Sequence, residues 1–197
     1  MVFINTNALE NLTDSLVQSL RFNDPTIDYP EVEKAKEDDG VIAEWFYPIY
    51  AESNEFSELS AIYMYTNQEN QFEEIKELML GIGMTEMKHY GKIGELIKAL
   101  GGRVHQRYNS KNVTIGKTPR EALQTAFNGE VKTIQFYDEL KEKINDVKNL
   151  SKSTPTIEIA LKLIEKLRAD EVVHQQLLQE AMTKFPEEEE RIVENLS

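Results

Sequence analysis

Two short motifs place side chains capable of metal binding or acid–base chemistry inside helical apolar stripes. Glu86 and His89 in TEMKHY share the spacing Glu-x-x-His with Glu171 and His174 in ADEVVH. Residues three apart lie on the same side of an α-helix, and each pair falls in a gap of a stripe of apolar residues. We therefore expect both pairs to point into the interior of a helical protein.

Two further glutamates, Glu58 and Glu130, interrupt apolar stripes in the same way. Each is followed seven residues later by a tyrosine, Tyr65 or Tyr137, and then by one of the Glu-x-x-His motifs. In each half of the chain the predicted turn lies near the midpoint between the two glutamates. An antiparallel helical hairpin would return its second glutamate to the height of the first, so the repeat predicts all four glutamates in one layer.

Four carboxylates in an apolar interior need compensating positive charge, because an isolated buried carboxylate is costly or takes up a proton. No Lys or Arg is expected on these inner faces, and two divalent ions would balance the four carboxylates. Carboxylate oxygens with imidazoles suit iron(II), manganese(II) or zinc rather than copper(I). The predicted ligands are Glu58, Glu86, His89, Glu130, Glu171 and His174. The alternative is a metal-free core in which the histidines pair with neighbouring glutamates.

The ligand from the first long helix is ambiguous, because AESNEFSELSA offers Glu52, Glu55 and Glu58. Glu55 lies one turn from Glu58 and nearly on the same face. The repeat with Tyr65 favours Glu58.

Three other residues are candidates for supporting contacts with the ligands. Tyr65 and Tyr137 either hydrogen-bond the ligand carboxylates or are ordinary core aromatics. Asp170 either accepts a hydrogen bond from the Nδ1–H of His89, which would fix that imidazole, or is solvated. His105, the third histidine of the chain, is expected to be exposed.

Apolar periodicity and helix end signals predict four long helices. They cover about 42–68, 72–100, 119–148 and 155–184. Gly101-Gly102 ends the second helix, and Thr118 and Thr154 each precede a proline at a helix start. Short turns within each half and one long connection between them predict a four-helix bundle with a single crossover.

The flanking segments are predicted to lie outside this bundle. A shorter helix over about 6–21 carries a leucine stripe that must be buried, either on the bundle or on a second copy of the chain. We expect residues 1–41 to form this helix and an irregular connection, 42–185 the bundle, and 186–197 a charged tail. The second alternative would make the protein a homodimer or a larger homo-oligomer.

The composition of the chain limits the classes of partner and of metal site that it can have. The chain has 22 basic and 35 acidic side chains, a formal charge of −13 and no cysteine. The negative charge argues against nucleic acid and anionic membranes as partners, and disulfides and thiolate metal sites are excluded. Without a signal-peptide pattern or an apolar run of membrane-spanning length, the expected location is the cytoplasm.

The ligand pattern resembles that of the ferritin-like dimetal carboxylate proteins, in which Glu-x-x-His motifs project inward from the helices of the bundle. The stretches SELSAIYMY, GMTEMKHYGKIGELIKALGG and FNGEVKTIQFY look most like the rubrerythrin and manganese-catalase branches. The resemblance covers about residues 45–185. It implies an all-α, ferritin-like four-helix bundle with an extra N-terminal helix.

The resemblance also implies roles for the ligands and a class of reaction. Glu58 and His89 would hold one metal, Glu130 and His174 the other, and two bridging carboxylates, Glu86 and Glu171, would shift with redox state and serve as catalytic residues. The implied substrates are hydrogen peroxide or O2, and the cofactors are two iron or manganese ions, with zinc possible in purified material.

Two departures separate the chain from rubrerythrins. It lacks the cysteines that hold the rubredoxin iron, and Thr133 stands where rubrerythrins carry an additional glutamate. Both favour a catalase-like cycle over a peroxidase with an external reductant. Iron(II) oxidation or storage, and a non-catalytic metal-stabilised bundle, stay open as alternatives.

Overall fold

The computed structural model describes residues 21–36, 40–104, 108–150 and 154–185, and within these ranges the protein is built from helices without strands. The α-helices are α1 (Tyr47–Ala51), α2 (Glu58–Gln71), α3 (Lys76–Ala99), α4 (Pro119–Leu150) and α5 (Pro155–Met182). The N-terminal helix predicted up to residue 21, the tail over 186–197 and His105 lie outside the described residues, apart from Arg21. No helix among the described residues is long and apolar enough to cross a bilayer.

The helix ends follow the predicted capping signals. The hydroxyl of Thr154 accepts a hydrogen bond from Ile157 N at 3.2 Å, and that of Thr118 accepts one from Glu121 N at 3.2 Å. After α3, Gly101 adopts φ +78° and Gly102 N bonds Ile97 O at 2.8 Å. This left-handed residue ends the helix because glycine adopts the conformation without a steric penalty.

The first long helix, predicted as continuous over 42–68, is interrupted, and that prediction was wrong. After α1 the chain is irregular over 52–57 before α2 begins. Ser57 donates to Glu52 O at 2.7 Å and accepts from Ser60 N at 3.3 Å, while Asn54 accepts from Phe56 N at 3.0 Å. Serine and asparagine side chains thus take over backbone hydrogen bonds that a helix would make, which is how they compete with helix interiors.

Two helical hairpins, α2–α3 and α4–α5, pack as a four-helix bundle around a polar layer. Contacts between α2 and α4 run antiparallel, since Tyr65 meets Glu130 and Tyr137 meets Glu58. One apolar cluster lies on each side of this layer. The first includes Ile93, Ile144, Ile157 and Leu167, and the second includes Met79, Ile82, Leu123 and Leu178.

The segment before α1 is packed against the bundle. Val32 is fully buried, and the ring of Phe22 lies over Gly81 of α3. A Cβ at Gly81 would lie 2.2 Å from that ring, so the glycine makes room for it. Residues 21–36 therefore belong to the packed structure, although the ligand pattern of the bundle does not include them.

Candidate metal centre

The six predicted ligands meet in one buried layer. They form two overlapping groups, in each of which one nitrogen or oxygen atom per residue lies within 4.8 Å of the others. The first group is Glu58, Glu86, His89 and Glu171, and the second is Glu86, Glu130, Glu171 and His174. Glu86 and Glu171 are common to both groups. The two imidazole ring centroids are 5.9 Å apart.

The first group converges on Nδ1 of His89. This atom lies 3.0 Å from Glu171 Oε1, 3.3 Å from Glu86 Oε2 and 3.6 Å from Glu58 Oε2. Three carboxylates from three helices thus face one nitrogen.

The start of α2 decides which glutamate reaches this group. Ser57 caps the helix, so that Glu58 is its first residue and is 1% exposed. Glu55 lies in the irregular segment before the cap, where it forms a salt bridge with Lys132 on the surface. The structure therefore brings Glu58, and not Glu55, to the centre.

The second group converges on Nδ1 of His174. This atom lies 2.9 Å from Glu86 Oε1, 2.9 Å from Glu171 Oε2 and 3.8 Å from Glu130 Oε1. The two halves repeat one arrangement, in which an imidazole and one glutamate of its own lie beside two shared glutamates.

Burial and mutual repulsion dominate the electrostatics of the carboxyls. Burial raises the pKa of Glu58 well above its usual range, and the charge of Glu86 raises it further. Burial likewise raises the pKa of Glu130, with added repulsion from Glu171 and Glu86. Burial opposes ionisation of Glu86 too, but the positive charge of nearby His174 outweighs it and lowers the pKa of Glu86.

The imidazoles have the opposite tendency. Burial disfavours their charged form, but the surrounding carboxylates, chiefly Glu171 for His89 and Glu86 for His174, raise the pKa of both well above the usual range. Without metal, the layer therefore balances its charge by holding protons on both histidines and on Glu58 and Glu130.

The two tyrosines make hydrogen bonds from one helical hairpin to the other. Tyr65 donates a hydrogen bond to Oε1 of Glu130, and Tyr137 donates one to Oε1 of Glu58. Both rings are fully buried. The hydrogen-bonding alternative of the sequence analysis is thus the one observed, with each tyrosine serving the glutamate of the opposite hairpin.

Asp170 is buried behind His89, but it meets a different ring nitrogen from the one predicted. Its Oδ2 lies 3.2 Å from Nε2 of His89. The prediction of Nδ1–H as the donor was wrong, because Nδ1 faces the glutamates of the centre. Asp170 itself is not solvated.

A buried lysine lies next to this aspartate, beside the segment before α1 and away from the four glutamates of the layer. Lys166, only 2% exposed, donates to Asp170 Oδ1 at 2.7 Å and to Asp24 O at 2.6 Å. Burial raises the pKa of Asp170, but hydrogen bonds from His89, Lys166 and Tyr29 more than offset this and lower it. Lys166 therefore balances Asp170, and the glutamate layer gains no counterion from it.

Sequence reasoning missed the partners supplied by the segment before α1. Tyr29 donates to Asp170 Oδ2 at 2.7 Å, and the carbonyl of Phe22 lies 2.9 Å from Nε2 of His174. These contacts join residues more than 140 positions apart. Helical periodicity carries no signal for them, since the segment is irregular; only the position of Lys166 one turn before Asp170 hinted at a buried polar network.

The chain matches the family model for the ferritin-like domain over residues 57–196. The chain belongs to the ferritin-like domain family. Its overall fold resembles that of Rhodobacter capsulatus bacterioferritin, a protein with a dinuclear site and haem iron, with a TM-score of 0.59 and 22% identity over 76% of this chain and 88% of that one. It also resembles a ferritin-like, diiron-carboxylate protein of Bacillus anthracis, with a TM-score of 0.57 and 25% identity over 71% and 95% of the two chains. A comparison with curated proteins gives no match.

The ferritin-like centre has the donor set and the unmet bonding capacity of a dinuclear metal site. Nδ1 of His89 and Oε1 of Glu171 lie 3.0 Å apart, yet neither makes a hydrogen bond of acceptable geometry with the described residues. Oε2 of Glu58 and Oε1 of Glu86 are likewise buried without a hydrogen bond there. Such groups are costly to leave unpaired. Divalent ions would satisfy all four atoms, so these residues fit a pair of ions.

Proposed function

We propose that the protein binds two divalent metal ions, iron or manganese, and removes hydrogen peroxide. Glu58 and His89 would hold one ion, Glu130 and His174 the other, and Glu86 and Glu171 would bridge them. The observation that carries the proposal is that two ligand groups share these last two glutamates. Shared carboxylates are what a dinuclear site requires, whereas two separate mononuclear sites would share none.

The ions would supply redox capacity and Lewis acidity for the cleavage of the peroxide bond. The protein's own contribution is to hold the ligands in place. Tyr65 and Tyr137 fix one oxygen each of Glu130 and Glu58 by hydrogen bonds. Glu86 and Glu171 carry no such tyrosine among the described residues, and we propose that they are the carboxylates that change position during turnover.

The surroundings favour a small substrate. Every predicted ligand is at most 4% exposed. A cavity of about 200 Å³ opens between α2 and α4, with Ser60, Met64 and Gly129 in its wall. Gly129 precedes Glu130, the most exposed of the six ligands. This cavity is the proposed route by which hydrogen peroxide or O2 reaches the centre.

The region around Thr133 supports a catalase-like cycle, in which peroxide both oxidises and reduces the metal pair. The Thr133 hydroxyl bonds Gly129 O at 3.1 Å and Phe56 O at 3.2 Å, so it serves the backbone. Residue 133 is a threonine and not an additional carboxylate, and the chain has no cysteine to hold a rubredoxin-type iron. Neither feature of a peroxidase with an external reductant is therefore found in this sequence.

The second candidate function is oxidation or storage of iron(II), and the structural similarity to bacterioferritin favours it. In that case the chain would assemble into a closed shell and hold many iron atoms per subunit. A third possibility is that the ions only stabilise the bundle.

Metal content and peroxide consumption, measured on one sample, test these alternatives. The first proposal predicts two redox-active ions per chain and peroxide turnover. Glu171→Ala should bind fewer ions and consume peroxide more slowly. Glu55→Ala is the matched control, because Glu55 lies on the surface. Two ions without turnover, in a large assembly with a mineral core, would support iron storage. A folded wild-type protein that binds no ion would refute the dimetal proposal.

We also propose that the protein self-associates through an exposed apolar face of α3. Leu80, Met84 and Met87 are 43–55% exposed, and Gly91 has open space beside it. In an antiparallel pairing of two α3 helices about their common centre, Met84 would meet Met87 and Leu80 would fill the space at Gly91 of the second copy. Glu77 in the first turn of α3 would approach Lys98 in the last turn of the other helix, which adds a pair of opposite charges at each end.

A further inference from the structure

Both ligand histidines are held from behind by one short segment, residues 22–29, which precedes the region matched by the ferritin-like family. The carbonyl of Phe22 lies 2.9 Å from Nε2 of His174. Tyr29 reaches the other histidine through Asp170, whose Oδ2 lies 2.7 Å from the tyrosine hydroxyl and 3.2 Å from Nε2 of His89. The same segment therefore touches the outer side of both halves of the centre.

A second set of contacts fixes this segment to α5. The backbone N–H of Asp24 donates to Asp170 Oδ1 at 2.6 Å. Lys166 bridges the same two residues, with its Nζ 2.7 Å from Asp170 Oδ1 and 2.6 Å from Asp24 O. Asp170 thus receives three donors besides His89, and its orientation is fixed from several directions.

These contacts determine which nitrogen of each imidazole is free to bind metal. A backbone carbonyl only accepts hydrogen bonds, so Nε2 of His174 keeps its proton, and Nδ1 is the nitrogen that would give up its proton and offer a lone pair when an ion binds. A carboxylate likewise only accepts, so the same holds for His89 opposite Asp170. Both Nδ1 atoms face the shared glutamates, as metal ligation requires.

The two acceptors differ in strength. His89 donates to a carboxylate, whereas His174 donates to a neutral carbonyl. A stronger acceptor on the remote nitrogen increases the basicity of a metal-ligating imidazole. The other ligands of the two halves are matched, with one tyrosine-bonded glutamate each and two shared glutamates, so this difference is the main asymmetry of the centre.

We propose that residues 22–29 form a strap that belongs to the metal centre, and that it makes the half containing Glu58 and His89 the tighter of two unequal metal sites. Tyr29 and Lys166 act as positioning residues, since they reach the metal only through Asp170 and His89. The inference rests on the proposed dimetal function and adds to it an order of filling: the ion at His89 binds first.

Cobalt(II) titration of the chelator-treated full chain, followed by ligand-field absorption, tests the order of filling. Wild type should show two binding events of unequal affinity. Asp170→Asn should weaken the tighter event about 10- to 100-fold, the range for loss of a partner that orients a metal ligand, because the amide nitrogen cannot accept a hydrogen bond. Tyr29→Phe should weaken the same event by a smaller factor. Neither variant should move the weaker event to the same extent.

Two tyrosine variants serve as controls. Tyr63→Phe alters a tyrosine that is 39% exposed and should change neither event. Tyr65→Phe removes a hydrogen bond to Glu130 and should act on the weaker event. Far-UV circular dichroism of each variant checks that the bundle is intact.

Proton NMR of the cobalt-loaded protein provides a readout that general loss of stability would not change. Each imidazole should give one exchangeable, paramagnetically shifted Nε2–H signal. Asp170→Asn and Tyr29→Phe should shift only the signal of His89, which is assigned by its disappearance in His89→Gln.

The outcomes separate this inference from the function on which it rests. Two ions that bind with equal affinity, or variants that weaken both events equally, would overturn the strap proposal and leave the dimetal function standing. A wild-type protein that binds no cobalt would overturn both.

Discussion

Replacing Glu58 by glutamine should stabilise the metal-free protein, although it removes a proposed metal ligand. Glu58 is 1% exposed, and burial together with the charge of Glu86 raises its pKa well above the usual range. Without metal, the folded protein therefore holds a proton on this carboxyl that the unfolded chain releases at neutral pH. A glutamine is neutral in both states and has nearly the same shape, and its Oε1 can still accept the hydrogen bond from Tyr137.

The size of the effect follows from proton linkage. Keeping a carboxyl with an ordinary pKa of about 4.3 protonated at pH 7 costs about 4 kcal/mol, at about 1.4 kcal/mol per pH unit. This is the ceiling on the gain. The amide that replaces the second carboxyl oxygen faces Nδ1 of His89 at 3.6 Å in the present geometry, and an imperfect fit there costs about 1–2 kcal/mol. We expect a net gain of about 2 kcal/mol at pH 7 in the absence of metal.

The pH dependence has a definite sign. Groups whose folded pKa is raised, namely Glu58, Glu130, His89 and His174, contribute stability that is lost as pH rises through the folded pKa. Glu86 has a lowered pKa, so its contribution changes only in acid, below the usual carboxyl range. The stability of metal-free wild type should therefore fall between pH 6 and 8, and Glu58→Gln should remove up to about 1.4 kcal/mol per pH unit from that slope.

Urea denaturation in the presence of a chelator at pH 6, 7 and 8, followed by far-UV circular dichroism, measures these quantities. Glu55→Gln is the control, because Glu55 is paired on the surface with Lys132 and its replacement should change stability by about 0.5 kcal/mol or less. With metal present the order should reverse, since the variant loses a ligand. A metal-free Glu58→Gln protein that is less stable than wild type, with an unchanged pH slope, would show that this carboxyl does not hold a proton in the fold.

Three further predictions concern metal, assembly and helix ends. Chelation should lower the Tm of wild type, measured by calorimetry, by about 5–10 °C for each site at which the free metal concentration had been 100 times the Kd. An unchanged Tm would exclude bound metal at purification. Met84→Glu, which places a charge on the exposed face of α3, should weaken self-association in sedimentation velocity without changing the helical content. Lys111→Glu, in the connection between α3 and α4, should not. Gly101→Ala should cost about 1 kcal/mol in urea denaturation because Gly101 adopts φ +78°, and a neutral result would mean that the end of α3 rearranges.

The parts of the centre that the sequence predicts are those that share a helical period. Glu86 and His89 are adjacent on one helix face, and the same holds for Glu171 and His174, so spacing alone places each pair on one side. Tyr65 and Tyr137 were identified because they repeat in the two halves. The family match and the bundle fold agree with this level of the interpretation.

Features set by irregular backbone could not be predicted in the same way. The interruption over 52–57 depends on hydrogen bonds of Ser57 and Asn54 that compete with the helix by small free-energy differences. The ring nitrogen that His89 presents to the glutamates depends on the side-chain torsions and on Asp170, and not on spacing. Tyr29 and Phe22 reach the centre across most of the chain length, where no periodic pattern connects them.

The strap meets the two halves of the centre differently, although the hairpins that supply the proposed ligands are repeats. A repeated pair of hairpins would make two equivalent metal sites, because each half supplies the same ligands in the same order. The two halves share a single segment, residues 22–29, which meets His89 through Asp170 and His174 through a backbone carbonyl. The N-terminal segment thus breaks the symmetry of the proposed ligands without adding one, and we expect a difference in affinity or redox potential between two bound ions to arise largely from these outer contacts.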